Sequence, residues 1–334
     1  MPNRESRKNG RGRPSVDEVL ARVDEEVSLL HEHLDGLPRA VEADAILREI
    51  WIDDVHNSTA IEGNTMTRAQ VEQVVEDRRA GADLVEVLEV EGYARAADWA
   101  YREAPTRKGV PLEVVAELHR LALTLAWEVE PPATRDRPGA WRTTGVRVGG
   151  VRVSTPTSVP AELADWSAST IDQGDAHPIV HAAMHHAWLE RIHPFVDGNG
   201  RVGRLVLTFL LIQAGYPPAV ILKEQRRRYL DALRLADRGN PLPLAEVVAR
   251  AVSDALARFL IPNLAGEAKL VPLSSLAVSG PYSAEYLRQL AGRGRLKVVR
   301  EGRLYLSSRR WLDEYVATRD ARGGQPGARR RAGR

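Results

Sequence analysis

A run of twelve residues, 193–204, near the middle of the chain carries side chains suited to phosphate chemistry. His193 supplies an imidazole, which can accept a proton from a hydroxyl near neutral pH. Four residues later, Asp197 supplies a carboxylate, which can hold a Mg²⁺ ion that keeps most of its waters and bridges phosphates. This pairing predicts nucleotidyl or phosphoryl transfer to an alcohol.

The residues that follow predict the phosphate site itself. Gly198 and Gly200 let the backbone point successive N–H groups into one concavity, and the helix that begins there adds its dipole. Arg201 and Arg204 lie three apart on its first turn, where two planar cations can hold further phosphate oxygens. A plain glycine turn between two core helices, with solvated arginines, is the alternative from the residues alone.

The run also resembles the Fic family, whose motif H-P-F-x-D-G-N-G-R-x-x-R it matches at every position. The resemblance implies transfer of AMP from ATP to a Ser, Thr or Tyr hydroxyl of a target protein. It makes His193 the base and Asp197 the Mg²⁺ ligand. Gly200 stands where kinase-like relatives carry Lys, which favours AMP transfer over phosphate transfer. The implied nucleotide-binding residues of the motif are Gly198, Asn199, Gly200, Arg201 and Arg204.

A helix predicted at about 39–62 places one acid on its apolar stripe. Trp51, Val55, Ser58 and Glu62 are spaced four, three and four apart, so Glu62 should face inward. A carboxylate near a helix C-terminus is also unfavourably placed in the helix dipole and needs a cation. The alternative is a solvent-turned Glu before the stop signal at 63–64.

Ser58 to Gly63 resembles the inhibitory motif [S/T]-x-x-x-E-[G/N] of the Fic branch that has an N-terminal inhibitory helix. The resemblance implies that Glu62, with Ser58, forms an inhibitory element. In that branch the Glu pairs with the second motif arginine, here Arg204, and blocks productive seating of the γ-phosphate.

Residues 138–156 change to an alternating pattern of Val and Arg around Gly-Gly, which predicts a β-hairpin. By itself this could be a surface hairpin on an α-domain. The Fic resemblance makes it a flap over the active site, whose free edge could hold a target segment as an added strand. The predicted target-docking residues are Val146, Val148, Gly149, Gly150 and Val151.

Similarity to the same Fic branch extends over about 40–260, including K-E-Q-R-x-x-Y at 223–229. It implies that Tyr229 and Asp237 lie at the nucleotide base. Two positions depart from the pattern, because that branch commonly has a second Tyr where this chain has Leu230, and an Asn where it has Asp237.

Three histidines, His177, His181 and His185, fall four apart on a helix predicted from 178 to about 190. Such spacing can put metal ligands on one face. No glutamate follows the first histidine as in zinc proteases, so packing that supports His193 is the favoured interpretation.

Composition limits the remaining possibilities. With 334 residues, 43% of them hydrophobic, the chain can form two units. It contains no cysteine, which excludes disulfides and thiolate metal sites. No apolar run reaches membrane-spanning length and the N-terminus lacks an apolar leader, so a cytoplasmic protein without membrane contact is expected.

Charge divides the chain. The net charge is +4 over residues 1–14 and +10 over 269–334, which leaves −12 for residues 15–268 out of a total of +2. Contact with nucleic acid is therefore expected at the ends and not in the acidic body. The pattern at 272–316 reads helix, turn, helix and two-stranded wing, and resembles winged helix-turn-helix modules, which can bind DNA or proteins. The candidate DNA contacts are Arg288, Arg300 and Arg303.

The predicted fold is an all-α Fic bundle with a β-hairpin flap and a C-terminal winged helix-turn-helix. The predicted segments are a disordered basic arm at 1–14, N-terminal helices at 15–110, a Fic core at 111–265, the winged helix at 269–318 and a disordered tail at 319–334. The predicted activity is Mg²⁺-dependent protein adenylyl transfer, held back by Glu62. Removal of AMP from a protein, or a nucleotide-sensing DNA-binding regulator, is the alternative, and a homodimer remains open.

Overall fold

A computed structural model describes residues 14–34, 40–78, 81–132, 136–149, 153–264, 270–278, 282–301 and 304–321. The predicted basic arm up to residue 13, the tail from 322 onward, Gly150, Val151 and Arg303 lie outside these ranges.

The described chain is mostly helical, as predicted. Its helices are α1 Val16–Leu34, α2 Ala40–Ile61, α3 Arg68–Val75, α4 Leu84–Glu103, α5 Leu112–Val129, α6 Val159–Ser169, α7 Pro178–Ile192, α8 Asn199–Gln213, α9 Arg226–Asp237, α10 Leu242–Leu264, α11 Leu273–Val278, α12 Ala284–Gly292 and α13 Arg309–Ala321. Its strands are β1 Val271–Pro272, β2 Val299–Glu301 and β3 Leu304–Ser307. None of the helices described combines the length and apolar character needed to span a bilayer.

The centre of the body is α8, which is apolar on nearly every face. Every residue from Val202 to Leu211 is buried, and the helix packs against α4, α5 and α7. It begins at Asn199, within the glycine turn, and is followed by Gly215 in the left-handed region at φ 83°. Because α8 is surrounded, its N-terminus is a fixed platform for the site.

A capping box stabilises the start of α1. The backbone N–H of Glu18 donates to Ser15 Oγ at 3.2 Å, and the Ser15 N–H donates to Glu18 Oε2 at 2.7 Å. Val23 of this helix is fully buried, and α1 packs on α10. The N-terminal helices thus belong to the same core as α8.

The described residues of the flap segment, 138–149 and 153–156, form turns and extended backbone and not the predicted β-hairpin strands. Val148 alone makes an isolated bridge. The carbonyls of Thr144 and Ser154 face each other across the flap, but both accept hydrogen bonds from the Arg142 side chain. At the base of the flap, these two backbone carbonyls are therefore bonded to the Arg142 guanidinium and not to backbone N–H groups of a β-ladder.

Residues 270–321, here the C-terminal unit, have the predicted order of two helices and a two-stranded hairpin, with their own apolar core. β3 pairs antiparallel with β1 and β2, in the sheet order β1-β3-β2. α13 continues to Ala321, three residues into the predicted tail. The unit is not isolated, because α11 packs on α2 and α10, and Arg288 Nη2 donates to Glu49 Oε1 of α2 at 2.7 Å.

Candidate active site

The loop between α7 and α8 carries the glycine turn that was predicted to bind phosphate. His193 ends α7 in the left-handed region at φ 53°, and Gly198 begins α8 at φ 76°. A Cβ at Gly198 would also lie 2.8 Å from the side chain of Leu123. The turn therefore requires glycine both for its backbone angle and for its closeness to α5.

Asn199 serves the shape of the loop. Its Oδ1 accepts from the backbone N–H of Phe195 and its Nδ2 donates to the Phe195 carbonyl, both at 2.9 Å. Both polar atoms of this buried side chain are used within the loop. The predicted contact of Asn199 with nucleotide stays a prediction, and the side chain is already bonded within the loop.

His119 supports the loop from α5. Its ring stacks on Phe195, with centroids 3.7 Å apart and planes 12° apart. Its Nδ1 accepts from the Gly139 N–H at 2.7 Å, so the neutral ring carries its proton on Nε2 and donates to the Asp197 carbonyl at 3.1 Å. Burial lowers the pKa of His119 to about 4, which keeps the ring neutral. His119 thus fixes the backbone just before the glycine turn.

His193 is half-buried at the mouth of the cradle. Its Nδ1 lies 3.2 Å from the Glu190 carbonyl, which can only accept, so Nδ1 carries the proton of the neutral ring. Nε2 then keeps a free lone pair. Burial lowers the pKa of His193 below 6.5, with a further lowering by the charge of Arg142 and opposing effects from Glu62 and Asp197. The ring is therefore a base at neutral pH.

Asp197 fits the predicted metal ligand. Its side chain is 60% exposed, its Oδ1 accepts from the Gly198 N–H at 2.6 Å, and its Oδ2 lies 3.1 Å from Arg201 Nη2. The described residues contain no group of three side chains that could hold a metal. One open carboxylate suits Mg²⁺, which is commonly held by one or two carboxylates with waters and phosphates.

The two motif arginines differ in their partners. Arg201, 4% exposed, pairs with Glu89 at 3.0 Å and with Asp197, and its buried Nε has no partner among the described residues. Arg204, equally buried, donates from Nε to Ser58 Oγ at 2.7 Å, and from Nη2 to the Ser58 carbonyl at 2.9 Å and to Glu62 Oε1 at 2.8 Å. The predicted pairing of Glu62 with Arg204 is thus present in the structure.

Glu62 lies just beyond the end of α2 and directly over Gly200. A Cβ at position 200 would collide with Glu62 Oε1, so the glycine is what lets the carboxylate enter the cradle. Removal from water would raise the pKa of Glu62, but the charges of Arg204, Arg201 and Arg226 outweigh this effect and lower it below 4.5. Glu62 is therefore ionised at neutral pH.

His193, Glu62, Gly200 and Arg204 share one pocket of about 410 Å³, whose lining residues do not include Asp197 or Arg201. Of the residues predicted for the site, it is lined by Glu62, Val148, Gly149, His193, Gly200, Arg204, Tyr229 and Asp237. The two positions that depart from the family pattern, Leu230 and Asp237, both line it. Val146, predicted for the flap surface, is not among the lining residues.

Two lining residues, Tyr229 and Glu190, have surroundings that spacing did not predict. Tyr229 O–H donates at 2.7 Å to Nε2 of His186, whose Nδ1–H donates to the Gly203 carbonyl at 2.9 Å. The Tyr229 hydroxyl is thus held in the floor of the pocket. Glu190 also lines the pocket, and burial raises the pKa of its carboxyl to about 7. His186 and Glu190 lie beside the i, i+4 histidine series, and no sequence signal distinguished them.

The three spaced histidines make separate contacts. His177 Nε2 lies 2.9 Å from Asp24 Oδ1, and His185 Nε2 lies 3.0 Å from Ser169 Oγ. His185 Nδ1 lies 2.9 Å from the His181 carbonyl. These contacts join α7 to α1 and α6, and so help to hold the helix that ends at His193.

Fold and site together define a helical-bundle protein whose anion cradle is continuous with a histidine base. Residues 109–211 match the family described as Fic/DOC, so this chain carries a Fic domain. It is 35% identical over 244 residues to the protein adenylyltransferase Fic of Drosophila grimshawi, covering 69% of this chain and 48% of that relative. The chain therefore spans about half the length of the curated relatives it matches.

Solved structures agree on the fold. Fic-1 from C. elegans superposes with a TM-score of 0.61 at 27% identity, covering 72% of this chain and 70% of that one. A Fic family protein from Desulfovibrio desulfuricans G20 gives 0.57 at 21% identity, covering 90% of this chain and 97% of that one. At the lower identity the likeness concerns the fold alone.

Proposed function

We propose that the chain is a Fic-type protein adenylyltransferase, which transfers AMP from ATP to a Ser, Thr or Tyr hydroxyl of a protein. The observation that carries the proposal is that His193, with a free Nε2, lines the same pocket as Gly200 and Arg204. A base and a phosphate cradle that share one pocket can act on the two reactants of one transfer step.

In the proposed reaction, Nε2 of His193 accepts the hydroxyl proton and the hydroxyl oxygen attacks the α-phosphorus. The P–O bond to the β-phosphate breaks, and pyrophosphate leaves. The N–H groups of the 198–200 turn and Arg204 stabilise the charge on the phosphate oxygens. Asp197 would hold Mg²⁺, which supplies further neutralisation of phosphate charge when bound.

We also propose that Glu62 inhibits this reaction in the resting protein. Its carboxylate occupies the cradle over Gly200 and engages the Nη2 of Arg204. A γ-phosphate would have to compete with an ionised carboxylate for the same guanidinium. Like charges in one site repel, so nucleotide can seat productively only when Glu62 moves away.

A second activity at the same site is removal of AMP from a modified protein. The favouring observation is that Glu62 is ionised and lines the pocket with His193, where it could orient a water. Incubating purified AMP-modified protein with the enzyme and measuring released AMP tests this activity, with Glu62→Gly as the matched control. Release at the same rate by that variant would exclude the role of Glu62.

The central test is transfer of label from α-labelled ATP to protein, measured for the Glu62→Gly protein with and without His193→Ala. Loss of the base should lower transfer by roughly 10²-fold or more, while nucleotide affinity stays close to that of Glu62→Gly. Equal labelling by both would refute the proposed chemistry. Absence of any label, together with nucleotide-dependent DNA binding, would favour a nucleotide-sensing regulator.

For the C-terminal unit we propose duplex DNA as the ligand. The supporting observation is charge beside an acidic body: residues 270–321 carry nine Lys/Arg and five Asp/Glu, a net charge of +4, and the basic residues that flank them bring the net charge of 269–334 to +10. Arg300 is exposed near the end of β2, where the wing of such a module would meet phosphates.

A further inference from the structure

A single buried arginine joins the flap to the residue proposed as the base. The Arg142 side chain is only 2% exposed. Its Nε donates to the His193 carbonyl at 2.6 Å, its Nη1 to the Thr144 carbonyl at 3.0 Å, and its Nη2 to the carbonyls of Ser154 and Ile192. One rigid planar group thus contacts both sides of the flap and the end of α7.

The same junction satisfies the end of α7. The last carbonyls of a helix have no partner within it and must find donors elsewhere. His193 supplies two donors, its N–H to the Leu189 carbonyl at 2.9 Å and its Nδ1–H to the Glu190 carbonyl at 3.2 Å. The orientation of the imidazole is therefore tied to how this helix ends.

The flap supplies the donors for the next two carbonyls. The Ser154 N–H donates to the Arg191 carbonyl at 3.3 Å, and Arg142 Nη2 donates to the Ile192 carbonyl at 3.3 Å. The Arg142 backbone N–H continues the series to the Pro194 carbonyl at 2.9 Å. A cation at a helix C-terminus is also favourably placed in the helix dipole. Flap and base therefore share one hydrogen-bonded junction.

We propose that Arg142 is a positioning residue that sets the register between the flap and His193, so that a hydroxyl on a segment docked at the flap arrives at Nε2. This inference rests on the proposed function, since it concerns the acceptor side of the transfer. Arg142 makes no hydrogen bond to the 198–200 turn or to Arg204 among the contacts described, so it acts on the acceptor and the base and not on the nucleotide.

The charge of Arg142 adds a measurable consequence. Among the charged groups near His193, the Arg142 guanidinium lowers its pKa, whereas Glu62 and Asp197 raise it; Glu190, Arg204 and Asp237 line the same pocket. Removing the positive charge should raise the pKa of His193, so the acid limb of the pH–rate profile should move to higher pH. A residue that merely holds the fold would not move this limb.

The test uses the full chain with Glu62→Gly, self-labelling from α-labelled ATP, and nucleotide affinity measured by calorimetry. Arg142→Lys keeps the positive charge but loses the planar set of guanidinium donors, and Arg142→Gln loses both the charge and that set of donors. Each should lower self-labelling by roughly tenfold or more, since a small misplacement of reacting groups is costly. Nucleotide affinity should stay within about twofold of that of the Glu62→Gly protein, because Arg142 positions the base and the acceptor and does not bind the nucleotide. Only Arg142→Gln should shift the acid limb upward.

The matched control is Arg120→Lys in the same Glu62→Gly protein. It changes an exposed ion pair with Glu117 on α5 and should label at the rate of Glu62→Gly alone. Thermal unfolding of each sample reports folding, and Arg142→Lys decides the matter if Arg142→Gln does not fold. The inference would be overturned if Arg142→Lys labelled at the rate of Glu62→Gly alone. It would also be overturned if nucleotide affinity fell as much as the labelling rate. If Glu62→Gly alone gives no label from ATP, the proposed function fails instead.

Discussion

Glu62 and Arg204 lie 142 residues apart in the chain and 2.8 Å apart across an ion pair. Arg204 is almost fully buried, whereas 37% of the Glu62 side chain is exposed. The Glu62 carboxylate therefore has a path into solvent, whereas the Arg204 guanidinium is enclosed by the protein. If Glu62 leaves the pair, as we propose for activation, Arg204 stays buried in the pocket.

Glu62→Gly should raise self-labelling well above the parent. The change removes a carboxylate from the phosphate site and leaves Arg204 free for nucleotide. Glu62→Gln, which keeps a hydrogen-bonding group but not the charge, should give an intermediate rate. The measurement is incorporation of label from ATP at equal enzyme concentrations.

Arg204→Ala is the control for this release, because it removes the phosphate ligand together with the pair. It should not activate the enzyme. Equal labelling by the parent and Glu62→Gly would contradict an inhibitory role for the acid.

Substitution of His119 should separate its two hydrogen bonds. Glutamine can place an amide N–H near the position of Nε2 and keep the bond to Asp197, whereas asparagine reaches only the Nδ1 side, toward Gly139. Both lose the stacking on Phe195. In the Glu62→Gly protein, His119→Gln should therefore label faster than His119→Asn, by roughly tenfold if the Asp197 contact is worth about 1.4 kcal/mol in the transition state.

Thermal unfolding of the two His119 variants corrects for any difference in stability. Indistinguishable rates, from variants of equal stability, would show that the bond to the Asp197 carbonyl does not affect the reaction.

Asp54→Asn should flatten the dependence of stability on pH. Asp54 is buried beside the hydroxyls of Tyr93 and Tyr101, each 3.4 Å from its oxygens, and burial raises the pKa of its carboxyl from 3.8 to about 7, against the opposing charge of Arg204. The folded state keeps this proton to a higher pH than the unfolded state. Stability is therefore lost as pH rises from about 4 to 7, with a limiting slope of about 1.4 kcal/mol per pH unit for one proton.

Denaturant unfolding of the parent and Asp54→Asn at pH 5 and pH 8 measures the effect. The parent should lose more free energy of unfolding between the two values than the variant does. Identical losses would mean that Asp54 titrates in the same way in both states.

DNA binding by the full chain should weaken steeply with salt if the C-terminal unit contacts phosphates. Arg300→Gln should reduce binding to all duplexes alike and lower the slope of log K against log salt by about 0.9. Arg288→Gln should instead reduce preference among sequences. Glu49→Gln, which frees Arg288, should strengthen binding. No retention of any duplex at low salt would leave the unit as a protein-docking module.

Local sequence was sufficient for the residues that act within one turn or loop. The positions of His193, Asp197 and Gly200 follow from a contiguous motif, and the inward stripe of α2 placed Glu62 correctly. The motif did not show that the Asn199 side chain bonds to Phe195 within its own loop, because that contact depends on geometry that spacing does not describe.

The residues that support the loop could not be predicted from spacing in the sequence. Arg142 and His119 contact the catalytic loop from 51 and 78 residues away in the chain. Alternating Val and Arg predicted a hairpin for the flap, but the pattern cannot show that a buried guanidinium would take the carbonyls at its base. Such contacts arise only when the packed helices bring distant segments together.

The position of α2 links the two ends of the molecule. Glu49, in the middle of α2, accepts a hydrogen bond from Arg288 of the C-terminal unit, and Glu62 follows the C-terminal end of the helix, thirteen residues and about 20 Å further along. Any ligand that draws Arg288 away from Glu49 with a shift of α2 also changes the affinity of the cradle for nucleotide. Thermodynamic reciprocity then requires nucleotide to change the affinity of that ligand by the same factor. Binding at the C-terminal unit and binding of nucleotide in the pocket would thus be coupled through α2.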